Sequence, residues 1–513
     1  MAPHRTRSAL ALVTVVTLCC GLVSTSSSVR SEESTALTIY STARPGAIPA
    51  ELYRPSPGGR TSYASPPGYA VVREEREVEL TRGRGELRFT DIAALIDPTT
   101  VRFESLTDPD GTQVIAQSYR FDLVSQQKLL ERYLDQTITV EQAVGETLQT
   151  FSGRLLSVSG GLILEDDQGR VRALSGWSGI EFPDLPQGLI TRPTLVWDVL
   201  ADRGGTHRTR VSYQTQGMTW WADYNLVFEP GKDSDRGRLD VGAWVSIVNR
   251  SGAGYHDARL KLIAGDVARA SAPAMVFEGA VTKRMAAQVP AGFEEKSFFE
   301  YHLYTLGRPT TLPDNSTQQL ELFDAARGVP ARKILVYVGT PGVGGRYGGP
   351  VTDRNFGIRT QGKVDVYLAF ENSEESGLGI PLPSGRIRVS QMDPDDGSLE
   401  FIGEDVLDHT PRNEEVLIRL GSAFDVVGQR KQADFDVDTA RRFMEETIEL
   451  QIRNRKEEGV EVIVQETLYR WTHWDVVEAS QPWEKVDART IRFPLSIAAG
   501  EERSVRYRVR YTW

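Results

Sequence analysis

Three aspartates within four residues, Asp393, Asp395 and Asp396, stand beside Gly397 in MDPDDGSLEFIGE. Carboxylates gathered on a turn are what a hard cation such as calcium needs. A helix-flanked calcium loop would put its glycine one position later, however, and alternating residues flank this turn on both sides. A solvated β-turn is the competing reading. Asp393, Asp396, Glu404 and Asp408 are also the carboxylates that a polysaccharide-acting or metal-assisted hydrolase would draw on. Beyond residue 26 there are five histidines, His207, His256, His302, His409 and His473, and none has metal-ligand spacing. Asp408-His409-Thr410 offers half of a nucleophilic relay without a serine that can be placed. GWSGI around Ser178 lacks the spacing of a nucleophile elbow. The glycines Gly342, Gly344, Gly345, Gly348 and Gly349 lack the Gly-Lys-Ser/Thr ending of a phosphate loop, and Tyr347 replaces the glycine that a dinucleotide fingerprint needs. No catalytic residue and no cofactor is expected.

Aromatic residues carry a better hint. Trp220, Trp221 and Tyr224 share one strand, and Tyr469, Trp471, Trp474 and Trp483 crowd another region. Alternation sends Trp220 and Trp221 to opposite faces, so one of them is expected to leave the core. An exposed indole can stack on a sugar ring or anchor a protein. Trp221, Trp474 and Tyr469 are therefore the expected binding residues. The plain alternative is that large sandwiches fill their cores with large side chains.

The elements that would position these residues announce themselves by repetition. Three times, apolar residues alternate over several positions and end in Asn: Ala243, Val245, Ile247, Asn249; then Val366, Leu368, Phe370, Asn372; then Ile448, Leu450, Ile452, Asn454. A period of two marks a strand with one buried face. Asn at its end tolerates a left-handed turn and can bond its own backbone. The copies lie 123 and 82 residues apart, which brackets the ~100 residues of an immunoglobulin-like sandwich. The expected class is mainly β, with several antiparallel immunoglobulin-like sandwiches, a small barrel-like unit and one short helix.

At 513 residues, the chain is too long for one core. Residues 1–26 read as a secretory signal: Arg5 and Arg7 precede the apolar run from Ala9, and Ser24 and Ser26 precede a plausible cut. Both cysteines, Cys19 and Cys20, fall inside it, which leaves disulfides and thiolate chemistry out of the remainder. The net charge of −11 opposes binding to nucleic acid or anionic membrane. No other apolar run is long enough to span a bilayer. The expected map is an N-terminal β domain at 33–120, a helix capped by Ser125 plus the barrel-like unit at 121–188, a central sandwich at 189–360, a second at 361–431 and a third at 432–513.

Several stretches together resemble a known family. GLITRPTLVWDVL, GMTWWADYNL, GAWVSIVNRSGAGYHDARLKLIAGD, ENSEESGLGIPLPSGRIRVSQMDPDDGSLEFIGEDVLDHTPRNEEVLIRL and VRYRVRYTW are similar, in order and spacing, to the bacterial exported proteins grouped as domain of unknown function 4139, which include mucoidy-inhibitor-A-like proteins. The resemblance covers most of residues 70–513. It implies a periplasmic or extracellular place and an envelope protein or polysaccharide as partner, and it brings no catalytic residues. Such proteins often carry a long coiled coil between their β parts, where this chain has only the short helix and the barrel-like unit.

Overall fold

A computed structural model of the protein describes residues 34–41, 66–144, 147–233, 235–265, 293–298, 301–340, 348–358, 361–393 and 395–513. The expected signal at 1–26 and the glycines Gly342, Gly344 and Gly345 lie outside the described residues. The fold is mainly β, with several largely antiparallel sheets and, among the described residues, a single α-helix. That helix is too short to cross a membrane.

Each Asn-terminated strand opens the same four-strand unit. In the first, Arg236–Asn249 is followed by Tyr255–Ala264 and Thr310–Leu312, which pair with each other. Ser316–Val338 then returns beside Arg236–Asn249. In the second, Lys363–Glu371 leads to the paired strands Gly385–Met392 and Leu399–Leu407, and Glu415–Asp438 returns beside it. In the third, Phe443–Asn454 leads to Val460–Thr467 paired with Thr490–Ile497, and Glu502–Thr512 closes it. A hairpin of Phe293–Phe298 and Tyr301–Leu306 is added to the first unit alone.

The units share strands. Ser316–Val338 spans 23 residues, pairing first with Arg236–Asn249 and then, from Ala331 to Tyr337, with Lys363–Glu371. Glu415–Asp438, at 24 residues, joins the second unit to the third in the same way, so the expected boundary at 431/432 falls inside a strand. Gly385–Met392 and Val460–Thr467 also pair in parallel with strands that precede their own units. The inward residues make two main cores. One runs from the N-terminal strands through the first unit into the second, and the other fills the third. In the last strand Val505, Tyr507, Val509 and Tyr511 are buried. Arg506, Arg508 and Arg510 point outward to Glu449, Glu478 and Glu445, as alternation predicts.

The three asparagines are buried, and each acts as a clamp. The Asn249 amide donates to the carbonyls of Ala253, Leu312 and Pro313 at 2.8–3.2 Å, and its Oδ1 accepts from the Ser251 N–H. Asn454 repeats this pattern with Glu458, Ile497 and Ala498, and accepts from the Lys456 N–H. Asn372 reaches Ile380 and Pro411, and accepts from the Gly379 N–H. Each amide thus ties the end of its strand to the residues just before the returning strand. None of the three has positive φ, so the left-handed turn expected of them is not used. Their value is the amide, which satisfies buried carbonyls that the ladders cannot reach.

Residues from the N-terminal part are interleaved with the central part. Ser34–Ser41 pairs in parallel with Tyr255–Ala264, and Gly68–Leu80 pairs with Gly205–Gln216. Thr194–Ala201 lies between Gly83–Thr90 and Thr112–Arg120. Residues 125–188 are therefore an insert, entering and leaving where Val124 N–H donates to Ile190 O and Ile190 N–H to Asp122 O. The insert begins with the helix Gln126–Arg132, capped by the Ser125 hydroxyl, which accepts from the Lys128 N–H. Leu130 and Tyr133 are buried, whereas Leu134, beyond the end of the helix, is exposed. The barrel-like unit is an open five-stranded sheet: its outer strands, Gly179–Glu181 and Val171–Leu174, do not pair with each other.

Candidate functional site

The strands Gly385–Met392, Met218–Pro230, Arg236–Asn249 and Ser316–Val338 lie side by side. Their inward positions, among them Trp220, Tyr224, Val245 and Ile387, fill the core. The alternate positions build a polar and aromatic patch on the other face. Asp223 is its centre and is only 4% exposed. Its Oδ2 accepts from the Ser246 hydroxyl at 2.6 Å, and Ser246 in turn accepts from the Gln319 amide at 3.0 Å. Its Oδ1 accepts no hydrogen bond among the described residues and faces the guanidiniums of Arg386 at 3.7 Å and Arg388 at 3.6 Å. Arg388 also pairs with Glu404 at 3.6 Å, which extends the patch onto the edge strand. Trp244, in register with Asp223, is 40% exposed. The patch thus sets the Arg388 guanidinium, the Gln319 amide and an open indole on one face of the sheet, around a buried carboxylate.

Trp221 belongs to this face, in register with Ser246, but it is only 7% exposed. Both Trp220 and Trp221 are buried, which corrects the expectation that one of the pair leaves the core. Alternation fixes the face a side chain points to. It does not fix how deeply neighbours on that face cover it. The exposed indole of the region is Trp244, at an outward position of the first Asn strand, where the alternation A-W-V-S-I could have pointed to it.

Trp474 is half-buried, with its ring already engaged. Its Nε1 donates to the Ala488 carbonyl at 2.8 Å, Lys485 stands 4.6 Å over the ring, and Trp483 packs at 6.4 Å. This cluster pins the 480–489 loop to the third sandwich. Tyr469 is buried, another correction to the expected binding set. Its hydroxyl donates to the Phe356 carbonyl at 3.1 Å, Phe356 packs on its ring, and burial pushes its pKa up to about 12.

The neighbouring Arg470 explains why Tyr469 is covered. Its guanidinium pairs with Glu446 at 2.8 Å and donates to the carbonyls of Val351, Asp353 and Phe356. Residues 348–358, which carry Gly348 and Gly349, are thereby latched over the third sandwich. A second internal pair, Arg430 with Glu466 at 2.9 Å, lies in the same core and takes a hydrogen bond from Tyr507. The Arg470–Glu446 pair is completed by backbone carbonyls and the Arg430–Glu466 pair by the Tyr507 hydroxyl, an arrangement that serves packing.

The aspartate cluster turns the hairpin between Gly385–Met392 and Leu399–Leu407. Asp393 Oδ1 accepts from Asp395 N–H and Asp396 Oδ1 from Ser398 N–H, which holds the Asp396 carboxyl below its ordinary range. Gly397 supplies the positive φ. Asp393 and Asp396 each cap the turn through one oxygen, and among the described residues no group of three His, Asp or Glu is placed to hold a metal ion. The nine-residue strand Leu399–Leu407, roughly 30 Å long, lies between Asp396 and Asp408. A glycosidase pair works across ~5–10 Å. His409 accepts from the Ser384 N–H, and Asp408 lends its carbonyl to Thr410. No family model, curated protein or solved structure is found to match this chain.

Proposed function

We propose that this protein is an exported, non-enzymatic envelope scaffold that binds cell-envelope polysaccharide through the face built on Asp223 and Trp244. The observation that carries the reading is an open indole, Trp244, on the sheet face where the partly exposed Arg388 guanidinium is held by Asp223 and Glu404. An indole offers its face to the C–H side of a sugar ring, and preset charged and amide groups meet its hydroxyls without a large ordering cost. The acidic balance of the chain and its resemblance to exported envelope proteins support an uncharged or cationic polysaccharide over nucleic acid. The hydrolase reading has no comparable support: Asp393 and Asp396 cap a turn, Glu404 is paired with Arg388, and Asp408 lies at the far end of the strand from Asp396.

The test is retention on immobilised envelope polysaccharide. Trp244→Ala should lower retention severalfold with the melting temperature little changed, since the side chain is already exposed. Trp474→Ala should leave retention as in the wild type, because that ring is occupied by Lys485 and Trp483. Equal retention of the wild type and Trp244→Ala would sink the assignment.

A further inference from the structure

A cleft of about 210 Å³ opens at the seam between the first and second units. Phe228, Val366, Leu368, Ile402 and Leu420 wall it, and among the described residues lining it only Lys333 carries a charge. Lys333 occupies an inward position of Ser316–Val338. Ala331, two residues before it, belongs to one core, and Leu335, two after it, belongs to the other. It lies in register with Leu368, a core residue, so its stem points to the apolar side of the sheet. Its ammonium forms no ion pair among the described residues. Burial, and then repulsion from Lys456, hold its pKa below the ordinary lysine range, partly offset by Glu458 and Asp235. A half-buried cation without a partner, set in an apolar wall, is costly unless something anionic meets it.

We propose that this cleft binds a small apolar molecule bearing one carboxylate, with the carboxylate on Lys333 and the apolar body against Leu368 and Ile402. The charge argues for the anion and the walls for the apolar body. The volume sets the scale: it exceeds the ~150 Å³ cavity that takes benzene, and it falls below the ~300 Å³ of common ligand pockets. A carboxylate of about eight carbons suits it. The site is separate from the Asp223 face and does not rest on the polysaccharide reading.

Calorimetric titration of the full chain with octanoate and with octan-1-ol tests this. The wild type should bind octanoate saturably and at least tenfold more tightly than octan-1-ol. Lys333→Met, which keeps an unbranched side chain, should lose that preference while still binding octan-1-ol. Ile402→Trp, which fills the cleft, should abolish both. The proposal is overturned by non-saturable octanoate binding, by equal affinity for acid and alcohol, or by a Lys333→Met variant that is folded by near-ultraviolet circular dichroism and binds octanoate as the wild type does.

Discussion

Replacing Asn454 by aspartate exchanges one NH2 for an oxygen and leaves the side chain the same size. In the native protein that NH2 serves three carbonyls, those of Glu458, Ala498 and Ile497, at 2.7, 3.0 and 3.3 Å, and the residue is fully buried. Two N–H groups cannot make three full bonds, so two hydrogen bonds are the fair count. Leaving buried acceptors unmet costs about 1–3 kcal/mol each, which gives roughly 2–6 kcal/mol at neutral pH. The introduced carboxylate would face carbonyl oxygens, so its folded-state pKa must rise above the unfolded value of about 3.9. Taking ~3 kcal/mol, the rise is about two units. The Asn454→Asp variant is therefore closest to wild type below pH ~4, where the acid is protonated and can donate to one carbonyl. It loses stability relative to wild type as pH rises from there, with the full loss reached above a folded pKa near ~6. Urea denaturation of Asn454→Asp and wild type from pH 4 to 7 reads this as a widening gap between midpoints. Tyrosine and tryptophan signals should be followed separately, because a chain with two cores need not unfold in one step. A gap that is absent at pH 7, or independent of pH, would refute the clamp as the reason for these asparagines.

Arg470→Met leaves the Glu446 carboxylate buried without its guanidinium and should cost about 3–5 kcal/mol in the third sandwich, with part recovered in Arg470→Met/Glu446→Gln; a loss below about 1 kcal/mol in urea titrations would count against the pair. The same variant should expose 348–358 to protease, since Arg470 holds three of its carbonyls. Gly357→Ala puts a Cβ against the Tyr469 ring at φ +72 and should loosen that latch by about 1–3 kcal/mol, read as faster cleavage within 348–358. Unchanged cleavage would show that the segment is held by other means. Asp396→Ala should melt at the same temperature in calcium as in chelator, as should the wild type, because the turn carboxylates are bonded to Asp395 and Ser398 N–H groups. A calcium-dependent rise in the wild type alone would restore the cation reading.

The strands were legible because alternation is a local property: Ile448, Leu450, Ile452 and their equivalents name their own buried face. The repetition of Asn pointed to three units, and three units with one strand plan are present. That the units share Ser316–Val338 and Glu415–Asp438 was not legible, since the patterning of a strand says nothing about when it changes partners. The patch around Asp223 was not legible: Trp221, singled out for exposure, is buried, the open ring is Trp244, and Arg386 and Arg388 arrive from a strand about 160 residues further along the chain by the distant pairing of Met218–Pro230 with Gly385–Met392. Tyr469 failed as an exposed residue for a similar reason. Its cover, Phe356, lies 113 residues upstream and is placed by Arg470, which nothing nearby in sequence announces.

The paired entry and exit at Asp122–Val124 and Ile190 give the sandwiches a socket. Two hydrogen bonds fix where the chain leaves the scaffold and returns, about one strand spacing apart. Whatever lies between them needs only to begin and finish at adjacent points. A helical hairpin of any length meets that demand as readily as the present open sheet, because antiparallel elements close their own loop. The tandem units can therefore stay constant while the appendage is exchanged, so that reach away from the sandwiches is set independently of their own surfaces.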